Sequence, residues 1–179
     1  MPDRMIELLQ EIVRTTTELN RIALDPAVPA LQPPASRENI DRVERLFGVP
    51  LPPSYRRFLE ITDGVPDFAS GFDLLGTRQI LGSDYEAEVG RRRTQAWDTG
   101  QPGPIQGLFV GLKPRFNGCI LLDRARPTGQ GELLVVHWHF RSLGEAPTFE
   151  EFLAYWDGVA KQVLENVRRD VAKQQAQDH

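Results

Sequence analysis

The chain opens with three amphipathic helical patterns, shifts to short alternating runs in its middle and closes on a long helical stripe. Met5, Leu8, Leu9, Ile12, Thr16, Leu19 and Ala23 line one face of a helix predicted from about residue 3 to 23. Residues 24–35 hold four prolines and read as an extended connector, which makes residues 1–35 an expected appendage to the main domain. Ser36 is placed to cap a second helix whose apolar face is Ile40, Val43 and Phe47, with Gly48 ending it before Val49-Pro50. A third helix starts at Pro52-Pro53, where a missing N–H has no intrahelical partner to lose. Its face is Tyr55, Phe58, Leu59 and Thr62, Arg56, Arg57 and Glu60 lie opposite, and Gly64 reads as a left-handed residue closing it.

Beyond Gly64, the glycine-punctuated runs Phe72-Asp73-Leu74-Leu75 and Gln79-Ile80-Leu81 fit strands or turns. Ser83 is the expected cap of a charged helix reaching about Ala96, and residues 98–104 form a loop. Three strands are predicted over residues 107–113, 118–123 and 132–140. Leu108, Val110 and Leu112 are expected on one face of the first, and Asn117-Gly118 turns into the second. An antiparallel meander follows. Thr148 and Glu151 form a capping box for the last helix, whose stripe runs through Phe149, Phe152, Leu153, Trp156, Val159, Ala160, Val163 and Val167. The predicted class is α+β: a mainly antiparallel sheet of about four to six short strands packed with helices, the first helices N-terminal and a long one C-terminal. The expected division is residues 1–35, a domain over 36–167 and a polar, fraying tail over 168–179.

Composition narrows the class without naming a function. The 179 residues are 40% hydrophobic and 26% charged, enough for one substantial core. No apolar run approaches the roughly 20 residues that span a bilayer, so a membrane partner is not expected. Asp3 and Glu7 stand where a secretory leader needs a basic start, and the lone Cys119 reads as a small buried hydrophobe rather than a nucleophile. A cytoplasmic location fits these features.

Net charge is −4, and the 18 arginines and 3 lysines are dispersed, which argues against a nucleic-acid partner. The cluster Arg91-Arg92-Arg93 follows Asp84, Glu86 and Glu88, an order that compensates a helix dipole; a phosphate site is the alternative. Residues 64–90 carry Asp67, Asp73, Asp84, Glu86 and Glu88 against the single Arg78, a local charge of −4 that equals that of the whole chain. Such a segment either steers a basic protein partner or is an ordinary solvated surface.

The strongest enzyme-like feature is His137-Trp138-His139, whose two imidazoles share a face on a strand, with Asp123 as a possible third ligand and His179 at a frayed end as a poor one. The alternative is a strand end leaving the core, with Trp138 buried beside Val136 and the histidines half exposed. Two ligands do not close a structural metal site. No nucleophile elbow, phosphate loop or dinucleotide fingerprint occurs, so neither a cofactor nor catalysis is expected.

Three motifs in order carry a resemblance: Leu51-Pro52-Pro53-Ser54-Tyr55-x-x-Phe58-Leu59 ending at Asp63-Gly64, the strand Gly118-Cys119-Ile120-Leu121-Leu122-Asp123, and Thr148-Phe149-Glu150-Glu151-Phe152-Leu153. Over about residues 36–157 the chain resembles the SUKH superfamily, which includes fungal cell-wall-synthesis regulators and bacterial immunity proteins. Asp63 stands where asparagine is frequent in that group; both tolerate a turn. The resemblance implies a non-catalytic α+β domain that binds a protein, typically a cognate toxin or effector domain, and it brings no catalytic residue with it. The expected binding residues are Asp67, Asp73, Asp84, Glu86 and Glu88. A regulatory or scaffold adaptor that recruits a partner or dimerises through its first helix is the alternative, and a metal-dependent hydrolase at His137 and His139 a minority one. Monomer and homodimer both remain open.

Overall fold

The structure is a computed structural model that describes residues 3–69, 71–98, 107–113, 118–138 and 142–177. Helices α1 (Arg4–Ile22), α2 (Arg37–Phe47) and α3 (Pro53–Ile61) lead into strands β1 (Gly64–Ala69) and β2 (Phe72–Leu75). The short α4 (Thr77–Ile80) and α5 (Tyr85–Asp98) come next, then β3 (Gly107–Leu112), β4 (Cys119–Gly129), β5 (Glu132–Trp138), β6 (Ser142–Ala146) and α6 (Phe149–Gln177). The strands lie in sequence order in one antiparallel sheet, the α+β meander that the pattern predicts, with β1 and β6 added at its edges.

Local rules hold where they decide the outcome locally. Ser36 Oγ accepts the Asn39 N–H (3.2 Å) to start α2, and Gly48 takes a left-handed φ of 76° to end it. Thr148 Oγ1 accepts the Glu151 N–H at the start of α6 (3.1 Å). Ser83 does not cap α5. Its hydroxyl donates to the Asp84 carboxylate (3.1 Å), and the helix starts at Tyr85, with the Glu88 N–H on the Asp84 carbonyl (3.0 Å).

The expected appendage is part of the core. Met5, Leu9 and Ile12 are buried, and the Thr16 hydroxyl donates to the Phe68 carbonyl of β1 (3.2 Å). Among the described residues three ion pairs tie α1 to α6: Arg4 with Glu150 (3.2 Å), Glu11 with Lys161 (3.3 Å) and Glu18 with Arg168 (2.6 Å). The connector docks as well: Gln32 N–H donates to Thr62 Oγ1 (2.9 Å), Ala35 N–H to the Leu59 carbonyl (2.9 Å) and Asp63 N–H to the Pro33 carbonyl (3.0 Å). The tail expected from residue 168 is likewise helical through Gln177, its first turn held by Arg168 on Glu18.

β3 departs from simple alternation. Phe109 faces Leu121 and Gly111 faces Ile120, so Val110 is the extra residue of a bulge. Leu108 and Leu112 oppose Leu122 and Cys119, three positions apart on β4, and the expected shared face is lost. Tyr85 Oη fills the gap, accepting the Phe109 N–H and donating to its carbonyl, each at 3.1 Å. The predicted Asn117 turn and the strand end at His139 and Phe140 lie outside the described residues. Among the described residues no helix is long and apolar enough to cross a membrane.

Candidate protein-binding surface

The proline-opened helix explains why the most legible motif carries no chemistry. Pro52 offers α3 no side-chain cap, so the acceptor comes from elsewhere: Glu132 of β5 takes the Ser54 N–H (2.8 Å) and the Ser54 hydroxyl (2.6 Å). Ser54 Oγ in turn accepts the Phe149 N–H at the start of α6 (2.9 Å). Tyr55 donates to the Leu75 carbonyl (2.8 Å), and its ring lies 5.0 Å from Phe149, edge to face. Two of the three motifs thus meet at one point. Sequence reasoning missed Glu132; the signal was a helix start with no local acceptor.

Asp63 and Gly64 complete this framework rather than closing α3, which ends with Thr62 in extended conformation. The buried Asp63 carboxylate accepts the Thr77 N–H at the start of α4 and pairs with Arg78 (3.4 Å). Gly64 has φ +100°, and a Cβ there would lie 2.7 Å from the Gly76 nitrogen and 2.9 Å from the Leu74 carbonyl oxygen. Only glycine lets β1 approach β2 so closely.

The five acids of residues 64–90 divide into two groups. Asp67 and Asp73 belong to the β1–β2 hairpin, where the half-buried Asp73 carboxylate accepts the Asp67 N–H (2.8 Å) and burial raises its pKa above the ordinary aspartate value. Asp84, Glu86 and Glu88 stand at the start of α5. Burial acts to raise the Glu88 pKa, but hydrogen bonds from Arg91 and the charge of Arg92 outweigh it and hold the carboxyl below its ordinary value. Between the groups run basic residues: Arg92 Nη2 donates to the Lys113 carbonyl (3.1 Å), and the Lys113 ammonium lies over the Phe72 ring, 5.6 Å from its centroid. Asp84 and Glu86 are exposed and have no basic partner among the described residues. A partner can reach both without displacing a cation that the described residues supply.

The histidine reading meets a geometric obstacle. His137 faces Ile120 and Asp123 faces Leu134, so the two side chains are offset by three positions and point to opposite faces of the β4–β5 ribbon. His137 is buried against Phe72 (5.0 Å between ring centroids) and Trp156 (5.4 Å), whereas Asp123 accepts from Arg126 Nε (2.6 Å) and the Ala125 N–H (2.9 Å). Asp123 cannot complete a site with His137. His139 and His179 lie outside the described residues, and among those described no group of His, Cys, Asp and Glu gathers around a metal position. Cys119 is buried, and desolvation pushes its thiol pKa up to about 12, the opposite of what a nucleophile needs.

Arg91 and Arg92 are held by Glu88 at 2.9 and 3.0 Å, the dipole-compensating arrangement rather than a phosphate cradle. A family model described as the SMI1/KNR4 family (SUKH-1) matches residues 34–155. No curated protein matches the chain. The matched span takes in the whole sheet and leaves α1 and the distal part of α6, which pack on each other, outside it.

Proposed function

The chain belongs to the SMI1/KNR4 family (SUKH-1), a family of protein-interaction domains, and we propose that it is an immunity protein that binds and neutralises a cognate toxin in the cytoplasm. The single observation behind the surface assignment is the pair of exposed carboxylates Asp84 and Glu86 at the start of α5, neither with a basic partner among the described residues. Two carboxylates with no basic partner among the described residues attract a basic surface with no such cation to displace. Glu88 is held by Arg91 and Arg92, and Asp67 and Asp73 belong to the β1–β2 hairpin, so the attraction rests first on Asp84 and Glu86. Ser54 and Asp63 of the motifs are spent on joining α3, α4, α6 and the sheet, which leaves binding to surface residues outside them.

Co-producing the chain with the product of its neighbouring gene tests the reading. A stable complex and protection of the producing cell are expected; absence of both would overturn the immunity assignment. The adaptor alternative loses its recruiting arm, because the apolar face of α1 is already buried in the core.

A further inference from the structure

A second site lies beside Glu86. The end of α2, the first turns of α5 and the adjoining ends of β3 and β4 enclose a cleft of about 360 Å³, with Phe47, Tyr85, Val89 and Leu108 in its walls. Two guanidinium groups line it. Arg124 lies over the Phe47 ring, 5.1 Å from the centroid, and Arg93 over Phe109, at 5.7 Å. A cation over an aromatic face is attracted by the ring quadrupole, which holds each guanidinium in place.

Neither arginine has a carboxylate partner among the described residues, in contrast to Arg56, Arg57, Arg92, Arg126 and Arg168. Arg93 Nε is buried and has no hydrogen-bond partner among the described residues. A buried donor without an acceptor is costly, and the cost is recovered when a ligand brings one. Glu86 also lines the cleft and forms no ion pair with either arginine.

We propose that this cleft takes an acidic side chain of a protein partner, its carboxylate bound by Arg93 and Arg124 and an adjacent apolar residue set against Phe47, Tyr85 and Leu108. The volume lies at the small end for ligand sites, which suits one side chain and its neighbour and not a docked helix. The charges favour a single carboxylate over a polyanion, because Glu86 at the edge repels a second negative group. The inference rests on the protein-binding reading of the family but not on the partner being a toxin. On the same interface the partner then presents basic groups to Asp84 and Glu86 and one acid to the cleft.

The test uses the full ¹⁵N-labelled chain and blocked dipeptides, so it needs no natural partner. Titration with acetyl-Leu-Asp-amide shifts the Nε–Hε resonances of Arg93 and Arg124 saturably, and acetyl-Leu-Asn-amide binds about tenfold more weakly, the worth of one charge-assisted hydrogen bond. Arg124→Gln, at an exposed position, lowers affinity for the aspartyl peptide severalfold without changing the melting temperature. Glu86→Gln raises it, whereas the same change weakens a basic partner at the acidic surface; the opposite signs separate this site from the immunity surface. Equal binding of the two peptides, unchanged affinity in Arg124→Gln, or inorganic phosphate binding as well as the aspartyl peptide would each overturn the proposal.

Discussion

Asp63 shows how much structure one side chain organises. Its carboxylate starts α4 through the Thr77 N–H and pairs with the largely exposed Arg78. Asp63→Ala leaves a buried N–H unsatisfied and is expected to cost about 1–3 kcal/mol in urea unfolding. Asp63→Asn keeps an acceptor and gives up only a pair whose arginine is largely exposed, so a loss below about 1 kcal/mol is expected. Equal losses would show that charge, not capping, is what the site requires. Asp73 supplies a pH test. Its folded pKa is raised by burial, so its contribution to stability is complete below the ordinary aspartate value of 3.8 and is lost as pH rises through the folded one. Asp73→Asn keeps an acceptor for the Asp67 N–H, and its stability relative to wild type should improve as pH rises through that window. A difference independent of pH, measured by thermal melts across the acid range, would contradict the burial argument.

At the scale of elements, α2 was readable because Ser36 and Gly48 act within a few residues of themselves. α1 was readable as a helix but not as core, since its ion-pair partner Arg168 lies 150 residues away. β1 defeats alternation with Pro66 and with Asp67 at φ 51°, and β6 is five residues interrupted by Gly144, so neither gives a strand pattern. Gly64 was misread because the local rule, a left-handed helix end, gave way to a tertiary one, the approach of two strands. Since α1 supplies Met5, Leu9 and Ile12 to the interior, Leu9→Ala is expected to cost about 2–5 kcal/mol by denaturant unfolding. Deleting residues 1–35 should abolish the cooperative transition, because three buried side chains worth about 1.5–3 kcal/mol each rival the total stability of a domain. A truncated chain with a native-like melt would return α1 to the status of an arm.

For the molecule as a whole, the sequence carried the count of charges but not their pairing. The acids of residues 64–90 look like one field along the chain; in space a hairpin pair and a helix-start trio are parted by Arg92 and Lys113, and Glu88 is bound by its own arginines. Arg93 and Arg124 were invisible as a pair because 31 positions of sequence and a bulged strand bring them to one cleft. The double substitution Asp84→Lys, Glu86→Lys isolates the two acids that the structure leaves open, at exposed positions where folding is little affected. The decisive measurement is titration calorimetry of the neighbouring gene's product against wild type and this double variant at low and high salt. A complex whose affinity falls with salt, and at least tenfold on charge reversal, is the predicted result. A complex with the same affinity in both proteins and at both salt concentrations would contradict the acidic surface as the place of binding.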